Sequence, residues 1–231
     1  MRPTHILFDF FGTLVDYSPS RTDQGYDATH ALLRSLGATV SYDGFLTVWS
    51  DACAVFDGLS DQDDREFSML EPGTAFLREV LGRQPAPEET EEFVATYVRE
   101  WSAGVHYLPG LADLVAELSA RHRLAVVSNT HHPPLVPGHL ANMGLLDAFD
   151  AVVTSVEVGW RKPHPKIYAT ALDVLGIEAS AAVFVGDTYG PDYEGPERHG
   201  MTAFLIDPGR SASVPDGRRL ASVFDLPARL G

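Results

Sequence analysis

Three short apolar runs, each closing on a polar or glycine position, punctuate the chain: Ile6-Leu7-Phe8, Leu124-Ala125-Val126-Val127 and Ala182-Val183-Phe184-Val185. Each is too short for a core helix and rich in β-branched or aromatic side chains, so the pattern predicts strands buried on both faces. Ala151-Val152-Val153 and Ala203-Phe204-Leu205-Ile206 are weaker members of the same set. Between them apolar positions recur at three and four residues. One such series is Leu111, Leu114, Val115 and Leu118; another is Ile167, Tyr168, Ala171, Leu172 and Leu175, followed by Gly176 as a C-cap. Strand and helix alternate from residue 107 onward, which predicts a doubly wound parallel sheet.

Residues 17–106 break that alternation. The pattern there predicts helices over Tyr26–Leu36, Tyr42–Leu59, Arg65–Leu81 and Glu88–Trp101. Breaks are expected at Gly37, at Asp61-Gln62-Asp63-Asp64 and at Gln84-Pro85-Ala86-Pro87. No strand-like run is visible in this stretch. The expected organisation is a Rossmann-like α/β core over 1–16 and 107–231, with an all-helical cap domain inserted over 17–106 and Pro109-Gly110 as the re-entry turn.

Composition narrows the function. The 231 residues suffice for one α/β core and a smaller module, and 45% hydrophobic with 21% charged residues is ordinary globular usage. A formal net charge of −15 argues against a nucleic-acid or anionic-membrane partner, because such a surface repels phosphate backbones. A phosphorylated substrate would then need positive charge concentrated at its site. The single cysteine, Cys53, excludes an internal disulfide and a thiolate metal cluster. With no apolar run of signal-peptide or spanning length, a cytoplasmic protein is expected.

In open α/β sheets ligands sit beyond the carboxyl ends of the strands. After the first strand comes Asp9-Phe10-Phe11-Gly12-Thr13-Leu14, a carboxylate before a Gly-Thr turn, placed to attack an electrophile. Ser128-Asn129-Thr130 follows the second clear strand, offering a hydroxyl and loop amides to an anionic oxygen. In Arg161-Lys162-Pro163-His164-Pro165, Pro163 keeps Lys162 out of the helix, so that its ammonium can turn to the site. Finally Gly186-Asp187-Thr188-Tyr189-Gly190-Pro191-Asp192 places two carboxylates five apart on a glycine-bearing loop, which suits hard oxygen coordination of Mg²⁺.

The order Asp-x-x-Gly-Thr-Leu, Ser-Asn, Lys-Pro-x-Pro, Gly-Asp-x-x-x-x-Asp resembles the four motifs of the haloacid dehalogenase superfamily, and the resemblance covers nearly the whole chain, including the insertion point of a helical C1-type cap. It implies that Asp9 is a nucleophile forming a covalent aspartyl intermediate, that Ser128 binds the transferring group and that Lys162 neutralises charge. It also implies Mg²⁺ held by Asp9, Asp187 and the backbone carbonyl of Phe11, with Asp192 assisting. Asn129 belongs to the same catalytic group. Phe11, Gly12, Thr13, Thr130 and His131 are expected to line the substrate site.

One position departs from the family's phosphatases. They carry a second Asp two residues after the nucleophile, which protonates the leaving group; here that residue is Phe11, which cannot. Dehalogenases of the family resemble the chain at that spot, yet they use no metal and lack the Gly-Asp pair of the fourth motif, which Gly186-Asp187 provides here. Three readings follow. The favoured one is a Mg²⁺-dependent phosphatase acting on a small phosphate monoester. The others are a metal-independent 2-haloacid dehalogenase-like hydrolase and a non-catalytic binding relative. For the first, His131 or His132 is a candidate source of the missing proton. Arg21 is a candidate clamp for a substrate carboxylate or phosphate. Trp49, Phe56, Phe67 and Met69 read as the interior of the helical insert. A monomer or homodimer is expected.

Overall fold

The computed structural model describes residues 3–230. Six parallel strands form one sheet: β1 (His5–Phe8), β4 (Arg123–Ser128), β5 (Ala151–Thr154), β6 (Ala182–Gly186), β7 (Thr202–Ile206) and β8 (Arg219–Leu220), in the order β5-β4-β1-β6-β7-β8. The strand β2 (Val15–Tyr17) pairs with β3 (Val105–Tyr107) as a separate ribbon. The described residues form ten α-helices: α1 (Asp27–Ser35), α2 (Tyr42–Asp63), α3 (Leu70–Leu81), α4 (Pro87–Trp101), α5 (Leu111–Ser119), α6 (Leu135–Asn142), α7 (Ser155–Val158), α8 (Pro165–Leu175), α9 (Gly195–Arg198) and α10 (Pro227–Leu230). Among the described residues, no helix is long and apolar enough to cross a membrane.

The chain separates into two compact units, one of residues up to Asp16 with those from Tyr107 onward, the other Tyr17–His106. In the first, strands alternate their side chains between two buried faces. Leu7, Ala125, Val127, Phe184 and Ala203 share a core with Ile167, Tyr168 and Ala171 of α8. Ile6, Phe8, Leu124, Val126, Val183 and Val185 point the other way and are buried too. A strand buried on both sides cannot alternate polar with apolar residues, which is why these strands read as continuous apolar runs. The result is the expected α/β sheet with a helical insertion. The two-residue β8 was not legible, because so short a pairing leaves no periodicity.

The second unit holds α1 to α4. Its centre is aromatic: the Trp49 ring lies 5.5 Å from Phe76, 5.1 Å from Phe93 and 4.9 Å from Tyr97, and Tyr26 stacks on Tyr97 at 4.9 Å. Two boundaries differ from the sequence reading. α2 runs through the acidic cluster to Asp63 and stops at Asp64, which takes a left-handed conformation (φ 61°) and donates its N–H to Ser60 O. α3 begins at Leu70 rather than Arg65. A charge cluster is tolerated in a solvated last helical turn, so composition alone misplaced the break.

β1 is the centre of the architecture. It pairs with β4 on one side and β6 on the other, Phe8 facing both Val126 and Val185. The chain runs outward from β1 through β4 to β5 and then crosses back to β6 on the other side of β1, which places the topological switch point, where open sheets bind ligands, at the carboxyl ends of β1 and β6.

Candidate active site

Four chain segments converge at that point. Asp9 is the first residue beyond β1, its N–H donated to Val185 O at 2.9 Å. The next turn is tight: Leu14 N–H bonds Phe10 O at 2.9 Å, and Gly12 adopts φ +80°. A Cβ on Gly12 would lie 2.3 Å from Asp187 Oδ2. The glycine of the first motif is therefore required twice, by its backbone angle and by the carboxylate resting against it.

The loop after β6 folds back by a single π-helical turn over Tyr189–Glu194. Asp192 N–H donates to Thr188 O at 2.8 Å, and Thr188 N–H donates to Asp192 Oδ2 at 2.9 Å. A Cβ on Gly186 would sit 2.4 Å from the Asp192 side chain, so only glycine lets Asp192 return to the end of β6. Single π turns of this kind are frequent at functional sites. Here the turn carries Asp192 into the interior and leaves Asp187 at the surface.

Lys162 joins the two acidic loops. It is 2% exposed, and its Nζ donates to Asp9 Oδ1 and to Asp192 Oδ1, each at 2.7 Å. Burial pulls its pKa down, but the Asp192 and Asp9 charges outweigh that and hold it above the ordinary value. The ammonium therefore stays charged at neutral pH. Burial pushes the Asp9 carboxyl up to about 7, with Lys162 pulling it back and Asp192 and Asp187 pushing it further. Asp187, although its surface is exposed, carries a carboxyl crowded enough by protein atoms to reach about 6, with the Asp192 charge adding to the effect.

Asp9, Asp187 and Asp192 each offer a carboxylate oxygen within 4.8 Å of the others. Three carboxylates facing one ammonium leave two negative charges uncompensated, and this repulsion adds to the burial that raises the Asp9 and Asp187 values. An all-oxygen donor set with surplus negative charge fits a hard divalent cation. Asp192 spends Oδ1 on Lys162 and Oδ2 on Thr188 N–H, so Asp9 and Asp187 are the better-disposed ligands.

Two hydroxyls are buried beside these elements. Ser128 Oγ, at the end of β4, and Thr13 Oγ1 have no hydrogen-bond partner among the described residues. Such an unsatisfied group costs about 1–3 kcal/mol, which a polar ligand would recover.

The other residues singled out from the sequence have different neighbours. The Asn129 side chain bonds both backbone groups of Lys162. Thr130 N–H donates to Ser155 Oγ at 2.9 Å. Phe11 is half-buried and packs edge-to-face on Phe10. His131 and His132 are half-buried, and burial lowers the His132 pKa. Arg21 lies in the helical unit, where its guanidinium holds Asp57 through two bonds of 2.6 and 3.1 Å. Its planar fork is thus already engaged. The sequence reading missed Ser155 and Thr188 as supports; hydroxyls at or just past the ends of strands were the available signal.

A family model of haloacid dehalogenase-like hydrolases matches residues 3–200, most of the chain. The chain belongs to the haloacid dehalogenase-like hydrolase family. Among curated relatives, the human haloacid dehalogenase-like hydrolase domain-containing protein 3 is 40% identical over 126 residues, 52% of this chain and 49% of that protein. This chain's match spans about half the length of those relatives. A phosphoglycolate phosphatase from Rhodospirillum rubrum is 29% identical over 236 residues, covering 99% of this chain and 90% of that protein. A solved 2-haloacid dehalogenase from Pseudomonas syringae pv. Tomato DC3000 shares the fold, with a TM-score of 0.73 at 23% identity over 99% of this chain and 98% of that one. Phosphatases and dehalogenases of the family are thus both among the similar proteins.

Proposed function

We propose that this hydrolase cleaves a small phosphate monoester with Mg²⁺, through an aspartyl-phosphate formed on Asp9. The observation that carries the reading is the convergence of Asp9, Asp187 and Asp192 on the buried Lys162 ammonium. Displacing halide from a neutral carbon needs no such cation-demanding cluster. Bringing a phosphate dianion against a carboxylate does.

In this reading an Asp9 carboxylate oxygen attacks phosphorus, the O–P bond forms, and the bond from phosphorus to the leaving oxygen breaks. Water then attacks phosphorus, releasing inorganic phosphate and restoring Asp9. Lys162 holds the Asp9 carboxylate in place and offsets negative charge on the transferring group. Ser128 Oγ and Thr13 Oγ1 would donate to phosphoryl oxygens. Asp9, Asp187 and the Phe11 carbonyl would hold Mg²⁺, with Asp192 in support; the ion supplies charge neutralisation when bound. The helical unit, 17–106, is read as a substrate-selecting cap, with small-molecule phosphates as its ligands.

Phe11 sharpens the expectation. With no carboxylic acid at that position, leaving groups that depart unprotonated are favoured: acyl, aryl or anomeric phosphates. Phosphate release should therefore be faster from aryl than from alkyl phosphates, and Phe11→Asp should raise the alkyl rate more than the aryl rate. Equal effects on both would refute this account of Phe11. The same residue supports a second reading as a 2-haloacid dehalogenase. Halide release from 2-haloacids in EDTA, with no phosphate release in Mg²⁺, would establish that reading instead.

A further inference from the structure

Asn129 and Thr130 follow the buried Ser128, and each makes a reciprocal pair of bonds with a residue of another loop. Asn129 Nδ2 donates to Lys162 O at 3.0 Å, while Lys162 N–H donates to Asn129 Oδ1 at 2.7 Å. Thr130 N–H donates to Ser155 Oγ at 2.9 Å, and Ser155 Oγ donates to Thr130 O at 3.2 Å. The segment between Ser155 and Lys162 is thus fastened at both ends by two consecutive residues of the β4 loop. Both bonding atoms of the Asn129 amide face the backbone of the residue whose ammonium bridges Asp9 and Asp192.

We propose that Asn129 is a positioning residue that acts through Lys162, rather than a group that touches the substrate. The chemistry of an amide explains the choice of side chain. A planar group with one donor and one acceptor on the same edge matches a peptide's C=O and N–H in a closed ring of two bonds. Lys162 has four rotatable side-chain bonds, and each costs entropy to freeze. Its two carboxylate contacts hold only the tip; the amide ring fixes the base of the chain. A lysine anchored at both ends keeps its charge at one place between the carboxylates, and electrostatic help of this kind is worth most when preorganised. The inference rests on the reading of Lys162 as the cation that serves Asp9, and its test has a readout that needs no turnover.

The chain contains two lysines, Lys162 and Lys166. Lys166 is exposed and Lys162 is buried, so protein labelled with ¹⁵N-lysine should show one water-protected ammonium, from Lys162, and one rapidly exchanging reference. In Asn129→Ala, checked as folded by its thermal melt, the Lys162 ammonium should exchange at least about tenfold faster, the size expected for directly coupled groups. kcat should fall by a similar factor, with KM changed less than about twofold. Asn129→Asp, which keeps the acceptor and loses the donor, should show a smaller change of the same sign and guards against a failed fold of the alanine variant. An unaltered Lys162 ammonium in both variants, a wild-type spectrum with no protected ammonium, or a rise in KM at constant kcat overturns the proposal. If wild-type protein releases no phosphate, the functional reading fails, and the ammonium signal alone still decides the role of Asn129.

Discussion

At the scale of single residues, the site depends as much on where side chains are absent as on where they are present. Gly12 and Gly186 leave the room that Asp187 and Asp192 occupy, and Gly12 also takes a positive φ. Gly12→Ala should therefore cost about 1–3 kcal/mol from backbone strain and displace Asp187. Its thermal melt should shift down, and the Mg²⁺ concentration needed for half-maximal activity should rise. A variant with wild-type metal dependence would show that Asp187 is not held by this contact. Asp9 and Asp187 were legible in the sequence because each lies just past a predicted strand, and Lys162 because Pro163 keeps it out of the following helix. What each touches was not. Asp192 was expected to assist the metal site, but that both its oxygens are engaged by Lys162 and Thr188 was not readable. Asn129 was grouped with the catalytic residues, and the backbone it bonds, that of Lys162, could not be read from the sequence; Arg21 was a candidate clamp, and its guanidinium holds Asp57. Those distinctions depend on which loops meet, and spacing along the chain carries no such information.

At the scale of elements, the strands and helices follow from their periodicity, and the turns that finish them do not. The edge of the sheet is an example. Asp207, just beyond β7, accepts from Ala212 N–H at 3.0 Å, from Ser211 N–H at 2.9 Å and from the Ser211 hydroxyl at 3.0 Å, and it pairs with Arg219 of β8. The Ala212 and Ser211 N–H groups, together with Arg219, hold its carboxyl down to about 2 from an ordinary 3.8. A carboxyl depressed by folding stabilises the native state fully above its unfolded pKa and loses that contribution as pH falls through its folded one. The melting temperatures of wild-type protein and Asp207→Asn should thus differ most at neutral pH and converge as pH drops from about 3.8 toward 2. A difference independent of pH would mean that packing, not charge, ties β8 to the sheet. The composition of residues 207–219 did not announce this tie, because two of its donors are backbone N–H groups and the Ser211 and Arg219 side chains meet Asp207 only once the loop has folded.

At the scale of the whole molecule, a formal charge of −15 surrounds a site proposed to take a phosphate. The long-range field opposes the encounter, and only the local cation and metal favour it. Raising ionic strength shortens the Debye length from about 30 Å at 0.01 M to about 8 Å at 0.15 M, which screens the distant charges first. kcat/KM for a phosphate dianion should therefore increase over that range, while kcat changes little. A decrease would point to a positive surface that steers the substrate. The order of the strands explains why so much of the architecture could be read in advance. A central β1 between β4 and β6 brings the first, second and fourth motifs to one edge, so motif order alone implied a shared site.

The most direct test of Asp9 as a metal-assisted nucleophile is phosphate release from p-nitrophenyl phosphate by the wild-type protein in Mg²⁺, the same protein in EDTA, and Asp9→Asn in Mg²⁺. Its leaving group needs no proton from the missing acid. The account predicts release in the first case, none above background in the other two, and an unchanged fold in the variant. Release that persists in EDTA or in Asp9→Asn would contradict it.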